Sequence, residues 1–186
     1  MGWIVAVVVI GVVLLLGLLL ISMYNKLVRL RNRSENAWAQ VDVQLRKRYD
    51  LIPNLVETVK GYASHERTVF EEVTKARAAA QAAQGPAAQA GAENALTAAI
   101  GRLFAVAEAY PELRATENFQ QLQAQLSDVE GQIAVSRQVY NDTVLTYDNA
   151  LETVPTSVIA GMFNFKPREY FEVEGAAREA PQVSFS

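Results

Sequence analysis

The sequence predicts an all-α protein: a single N-terminal transmembrane helix that continues into an antiparallel up-down bundle of four long helices, with a two-helix membrane-proximal stalk. Three observations lead there. Residues 1–25 carry no charged side chain. Apolar residues recur three and four apart from Leu27 to Val59 and again from Phe119 to Val154, the stripe of an amphipathic helix. No strand-like alternation of comparable length occurs. At 186 residues the chain is one domain with an appendage.

Gly2–Met23 has Ser22 as its one polar side chain. At a rise of about 1.5 Å per residue the run reaches roughly 33 Å, enough for the ~30 Å hydrocarbon layer. Trp3 and Tyr24 stand at its two ends, where amphipathic rings favour the lipid boundary. A cleaved secretory signal would want a cationic start, a shorter apolar core and a small-residue cleavage site. None is present, so residues 1–24 are assigned as a retained anchor. Lys26, Arg29, Arg31 and Arg33 follow directly. By the positive-inside rule they hold the N-terminus outside and the body in the cytoplasm. The span holds no ionisable group, which leaves no transport path or proton relay within it.

Residues 25–171 form the expected bundle. Leu27, Leu30, Trp38, Val41, Leu45, Tyr49, Ile52, Val56 and Val59 continue the first helix through Pro53. There a kink is favoured over a break capped by Asp50, because the stripe keeps its phase. A second helix is expected from an N-cap at Ser64 to about Ala83, and a third over about 92–109. GPAAQAG (85–91) between them reads as a flexible connection. Sixteen of the 34 residues from Ala76 to Ala109 are alanine, which favours helix but buries little surface. The fourth helix, about 116–154, carries the clearest seam. Phe119, Leu122, Leu126, Val129, Ile133, Ser136, Tyr140, Val144, Tyr147, Leu151 and Val154 follow a coiled-coil-like spacing with one stutter, ended by Pro155. Helices one and four, at about 60 and 58 Å, are twice as long as two and three, and short connections favour antiparallel neighbours. Helix four therefore returns to the membrane. Residues 155–171 form an apolar foot, which either covers the stalk or lies in the headgroup region or on a neighbouring subunit. Residues 172–186 read as a flexible tail.

Composition removes several kinds of chemistry. No cysteine excludes disulfides, thiolate metal sites and cysteine nucleophiles, and the single His65 excludes paired-imidazole sites. A di-metal bundle needs two Glu-x-x-His motifs, and Tyr62 stands three before His65. His65 with Glu66 or Glu71 reads as a solvated turn rather than a ligand set. No Gly-x-Ser-x-Gly elbow or phosphate loop occurs. No catalytic residue, metal or cofactor is assigned. Net charge is −3, unevenly laid out: Lys26, Arg29, Arg31, Arg33, Arg46, Lys47 and Arg48 face only Glu35 and Asp42, while the remainder holds 10 cations and 18 anions. Beside a span, the collar's partner is anionic phospholipid rather than nucleic acid. Arg46, Lys47 and Arg48, some 35 Å further along, are assigned to the acidic body or a partner. Asn36, Asp42, Asp50, Asn54, Asn141, Asp142 and Asn149 read either as a solvated face or as buried pairs that fix register.

The segments YNKLVRLRNRSENAWAQVDVQLRKRYDLIPNLVETVKGYASHE (24–66), YPEL (110–113), and ENFQQLQAQLSDVEGQIAVSRQVYNDTVLTYDNAL through PTSVIAGMFNFKPREYFE resemble the bacterial LemA family. The resemblance covers about three quarters of the chain. It implies a short N-terminus outside, a helical body in the cytoplasm and no established catalytic activity, and the expected location is the bacterial cytoplasmic (inner) membrane, crossed once. It also points to a membrane protease or other membrane protein as partner. The expected function is that of a non-enzymatic scaffold or adaptor held in the bilayer by residues 2–23. The stalk and Ala-rich bundle leave apolar surface that a homo-oligomer would cover. Trp38, Tyr49, Pro53 and Asn54, with Phe163, Phe165, Arg168 and Tyr170 in the foot, are the expected assembly or partner contacts. The alternative is a sensor that passes a helix rearrangement, through the stutter and Pro53, to a soluble partner.

Overall fold

The computed structural model describes residues 1–172, and every regular element among them is helical. In chain order these are α1 (Gly2–Lys60), α2 (Arg67–Ala82), α3 (Pro86–Glu108), the single turn α4 (Pro111–Arg114), α5 (Glu117–Glu152) and α6 (Thr156–Met162). The tail expected over 172–186 lies outside the described residues apart from Glu172. The described residues divide into two compact units, Met1–Ala39 with Val139–Arg168, and Gln40–Gln138 with residues 169–172. Helices α1 and α5 each lend a segment to both.

The first unit opens with the apolar run. Its large side chains, from Trp3 through Ile21, all stand exposed. Among the described residues one helix is thus long and apolar enough to cross a membrane, and none of its most apolar stretch is covered by the other described residues. Burial begins immediately beyond it. Leu27 packs with Ala150, Ile159 and Ala160, and Met23, Leu30, Leu151 and Phe165 close around them. Further along, the Trp38 ring lies 5.2 Å from that of Tyr140. Leu27 against Ala150 and Trp38 against Tyr140 means that these stretches of α1 and α5 run in opposite directions.

Thr156 ends α5: its hydroxyl is shared between the carbonyl of Ala150 at 2.6 Å, a group the helix end leaves orphaned, and that of Thr153 at 2.8 Å, which also accepts the Ser157 N–H at 2.9 Å. The Val154–Pro155 peptide is cis. Helix α6, which the seam spacing does not reveal, then occupies the first part of the foot. It closes with two backbone bonds, Phe165 N–H to Ala160 O at 3.0 Å and Asn164 N–H to Gly161 O at 3.4 Å. Asn164 takes the left-handed φ of +55° that this Schellman closure needs, a conformation Asn tolerates. The reversal brings Phe165 back onto the cluster around Leu27.

In the second unit, α1 continues unbroken through Pro53, so the alternative of a new helix capped by Asp50 is not adopted. Val41, Leu45, Ile52, Leu55 and Val59 are buried on it. The second helix starts two residues later than the Ser64 cap predicts. Tyr62 and Ala63 return their N–H groups to Val59 O, at 3.0 and 2.9 Å, and Ala63 is fully buried. The chain is still tied to the end of α1 there, and the N-cap falls at Glu66 without a side-chain bond. The third helix starts earlier than expected, at Pro86, so GPAAQAG is largely the first turns of α3 rather than a flexible connection. Proline suits the first helical position because its missing N–H would be unpaired there in any case, and Gly85 supplies the preceding φ of +82°. Between α3 and α5 the short α4 buries Leu113. On α5 the predicted seam is buried from Phe119 to Ile133, and in the first unit from Tyr140 to Tyr147; Ser136 and Leu151 are half-buried and Val154 is exposed.

Candidate functional site

Two constellations stand out, one in each unit. In the first, the Tyr24 ring sits 4.9 Å from Phe163 and 5.7 Å from Phe165, and the Arg31 guanidinium lies over the Phe165 ring at 5.6 Å. Arg168 pairs with Glu35 through its side chain, and its N–H donates to Asp148 Oδ1 at 3.2 Å. Beside these contacts lies an open cavity of about 380 Å³ whose lining includes Tyr24, Arg31, Tyr147, Phe163, Lys166 and Arg168. Burial raises the Tyr147 hydroxyl above its ordinary range against the opposing pull of Arg168 and Arg31, so it stays a protonated donor at neutral pH.

The foot thus has two faces. Ile159 and Ala160 are buried on α1, while Val158, Met162 and Phe163 are 59%, 68% and 56% exposed. Of the collar, Lys26, Arg29 and Arg33 are exposed and Arg31 is half-buried. Trp38, Phe165, Arg168 and Tyr170 are half-buried, and Pro53 and Asn54 are exposed.

The second constellation is a buried polar network that sequence reasoning captured only in part. Arg48, expected to meet the acidic body, is 2% exposed. Its Nη1 pairs with Glu93 Oε2 at 2.7 Å, and its Nη2 reaches Thr97 Oγ1 and Glu130 Oε1, each at 2.8 Å. The Tyr49 hydroxyl donates to Glu93 Oε1. Gln89 Nε2 contacts Tyr49 Oη at 2.7 Å, Glu93 Oε1 at 2.9 Å and Ala80 O at 3.0 Å. Burial, reinforced by Glu93, pushes the Tyr49 hydroxyl well above its ordinary range. Tyr49 therefore points inward, its hydroxyl engaged within the chain.

Pro53 has a partner effect in this network. A proline at 53 removes the N–H that would have bonded the carbonyl of Tyr49, four residues earlier. Arg77 Nε of α2 fills that place, donating to Tyr49 O at 2.8 Å. Gln89, Glu93, Thr97, Glu130 and Arg77 were not among the expected site residues. Of the polar residues expected to choose between solvent and buried pairing, Asn36, Asp50, Asn54, Asp142 and Asn149 are exposed, while Asp42 and Asn141 are half-buried.

What the network can do chemically is hold helices. Its carboxylates are bound to a guanidinium, a phenol and an amide, and it presents no free nucleophile. Among the described residues no group of three or more His, Asp or Glu side chains could hold a metal ion, and His65 is exposed.

Residues 37–185 match the model of the LemA family. Over 191 aligned residues the chain is 25% identical to magnetosome proteins MamQ 1 and MamQ 2 of Paramagnetospirillum magneticum and to magnetosome protein MamQ of Magnetospirillum gryphiswaldense. Each alignment covers 89% of this chain and 70% of the relative.

Proposed function

The chain belongs to the LemA family, and we propose that it is a non-enzymatic, membrane-anchored helical scaffold that assembles with copies of itself and organises membrane-protein partners, a membrane protease being one kind. One observation carries this: the large apolar side chains from Trp3 to Ile21 are all exposed, yet from Met23 and Leu27 onward the same helix is packed by α5 and α6. A bare apolar helix that ends where packing begins is suited to a bilayer. Residues 1–24 are the anchor and 25–171 the body, with Lys26, Arg29, Arg31 and Arg33 keeping the body in the cytoplasm.

The contacts of Arg48 with α3 and α5, and of Arg77 with α1, support a four-helix antiparallel bundle in the second unit. Val43, Val135, Val139 and Leu145 remain exposed on the long helices, which supports self-association. Kinship with magnetosome proteins is in keeping with work at a membrane. The test is the mass of the complex extracted from native membranes into nanodiscs. A protein mass of two or more 20.4 kDa chains is expected; a single chain at native abundance would refute the oligomeric scaffold.

A further inference from the structure

The cavity in the first unit has the makings of a specific ligand site. Arg31, Lys166 and Arg168 bring three cations to its lining, and none of its described lining residues is a carboxylate. Tyr24 and Tyr147 add hydroxyl donors. Arg31 Nε is buried and has no hydrogen-bond partner among the described residues, so one donor of this guanidinium stands unused. Arg168 spends a donor on Glu35, which leaves its fork partly available. Guanidinium and ammonium groups around a space of this size suit a phosphate-bearing anion.

Position identifies where that anion comes from. Tyr24 follows the last residue of the apolar run, and Arg31 lies about 10 Å further along the helix, at the outer edge of a headgroup layer about 5–8 Å deep and within reach of it by its long side chain. Phe163 lines the cavity and is more than half exposed, and Met162 and Val158 continue the exposed apolar face of α6 beside it. A polar cavity with an apolar rim, built at the end of a spanning segment, matches a lipid whose headgroup enters while its chains stay in the bilayer. We propose that this cavity is a binding site for the phosphate headgroup of an anionic phospholipid, with Arg31, Lys166 and Arg168 holding the phosphate and Phe163, Met162 and Val158 resting in the acyl boundary. The site rests on the anchored reading above and adds a defined lipid to the collar's diffuse attraction.

The experiment uses the full chain reconstituted in nanodiscs of phosphatidylcholine with a minority of phosphatidylglycerol, followed by mild delipidation and native mass spectrometry. The wild type is expected to retain phosphatidylglycerol selectively. Lys166→Gln, an exposed change that leaves the packing intact, should lower retention about fivefold, and Arg31→Gln with Lys166→Gln about twenty-five-fold, from the contribution of each near-surface cation. Arg29→Gln with Arg33→Gln removes two collar cations that do not line the cavity and should leave retention unchanged. Millimolar inorganic phosphate should not displace the lipid.

Equal retention of phosphatidylcholine, equal loss in the collar and cavity variants, or release by inorganic phosphate would overturn the proposal. The last result would identify a free-anion site instead. If the wild-type chain fails to enter bilayers at all, the anchored reading itself falls; an anchored chain without selective retention refutes the headgroup site alone.

Discussion

Arg77 and Pro53 show how one residue's deficit fixes another's role. The carbonyl of Tyr49 lost its helical partner to the proline ring, and Arg77 Nε replaces it. Arg77→Ala should therefore destabilise the chain by about 1–2 kcal/mol, the cost of stranding a buried acceptor. In a Pro53→Ala background, where residue 53 again carries an N–H, the same change should cost less than about 0.5 kcal/mol. Thermal unfolding of the four variants in detergent, followed by circular dichroism, checks the coupling; equal costs in both backgrounds would contradict it.

Glu130 offers a second residue-scale check. Burial raises its carboxyl above the ordinary 4.5, with Arg48 lowering it and Glu93 raising it. A raised folded-state value means the folded chain holds the proton more tightly than the unfolded one. The stability this contributes is complete below 4.5 and is lost as pH rises through the folded-state value. Glu130→Gln should consequently gain on the wild type between pH 4 and pH 7, read as the difference in melting temperature at the two pH values. A difference that shrinks over that interval would contradict the assigned environment. Arg48 itself was half legible in the sequence. It falls three after Leu45 and four before Ile52, in phase with the apolar stripe, which marks a cation that must find a buried partner. Which carboxylates it would meet was not legible, because Glu93 and Glu130 lie far along the chain on other helices and only packing selects them.

Among the elements, the long ones could be read from spacing alone. The stripe of α1 and the seam of α5 span many turns, and tertiary packing agreed with both. The short elements could not. Helix α6 has seven residues, too few for a periodicity to stand out, and its existence depends on Leu27 and Ala150 being there to receive Ile159 and Ala160. The start of α2 moved because Ala63 is drawn into the core, a tertiary effect that outweighs the preference of Ser64 for a cap. The start of α3 was misread because the glycines and proline of GPAAQAG suggested a loop, whereas one of each serves to begin a helix. Gly85 has φ +82° and ψ +160°, a region closed in practice to other residues. Gly85→Ala should thus cost about 1–3 kcal/mol. Gly91→Ala, inside α3 with open space around its Cβ position, should stabilise by up to about 1 kcal/mol. Chemical denaturation of the two variants separates them, and a neutral Gly85→Ala would show that the turn is not held as described.

For the molecule as a whole, the decisive relation is local to the first unit: the foot and the end of α5 lie against α1 just beyond the apolar run. In the proposed reading the apolar run sets this packing at a bilayer surface, and the proposed oligomer and headgroup site both build on it. The chain has no cysteine, so labelling sites can be introduced singly and cleanly. Dipolar electron spin resonance between labels at Asn25→Cys and Val158→Cys, in the full chain in nanodiscs, measures the relation directly. Neighbouring helices are about 10 Å across, so a separation of roughly 10–20 Å is expected. A separation near 50 Å, the length of a helix such as α5 pointing away from the membrane, would contradict it.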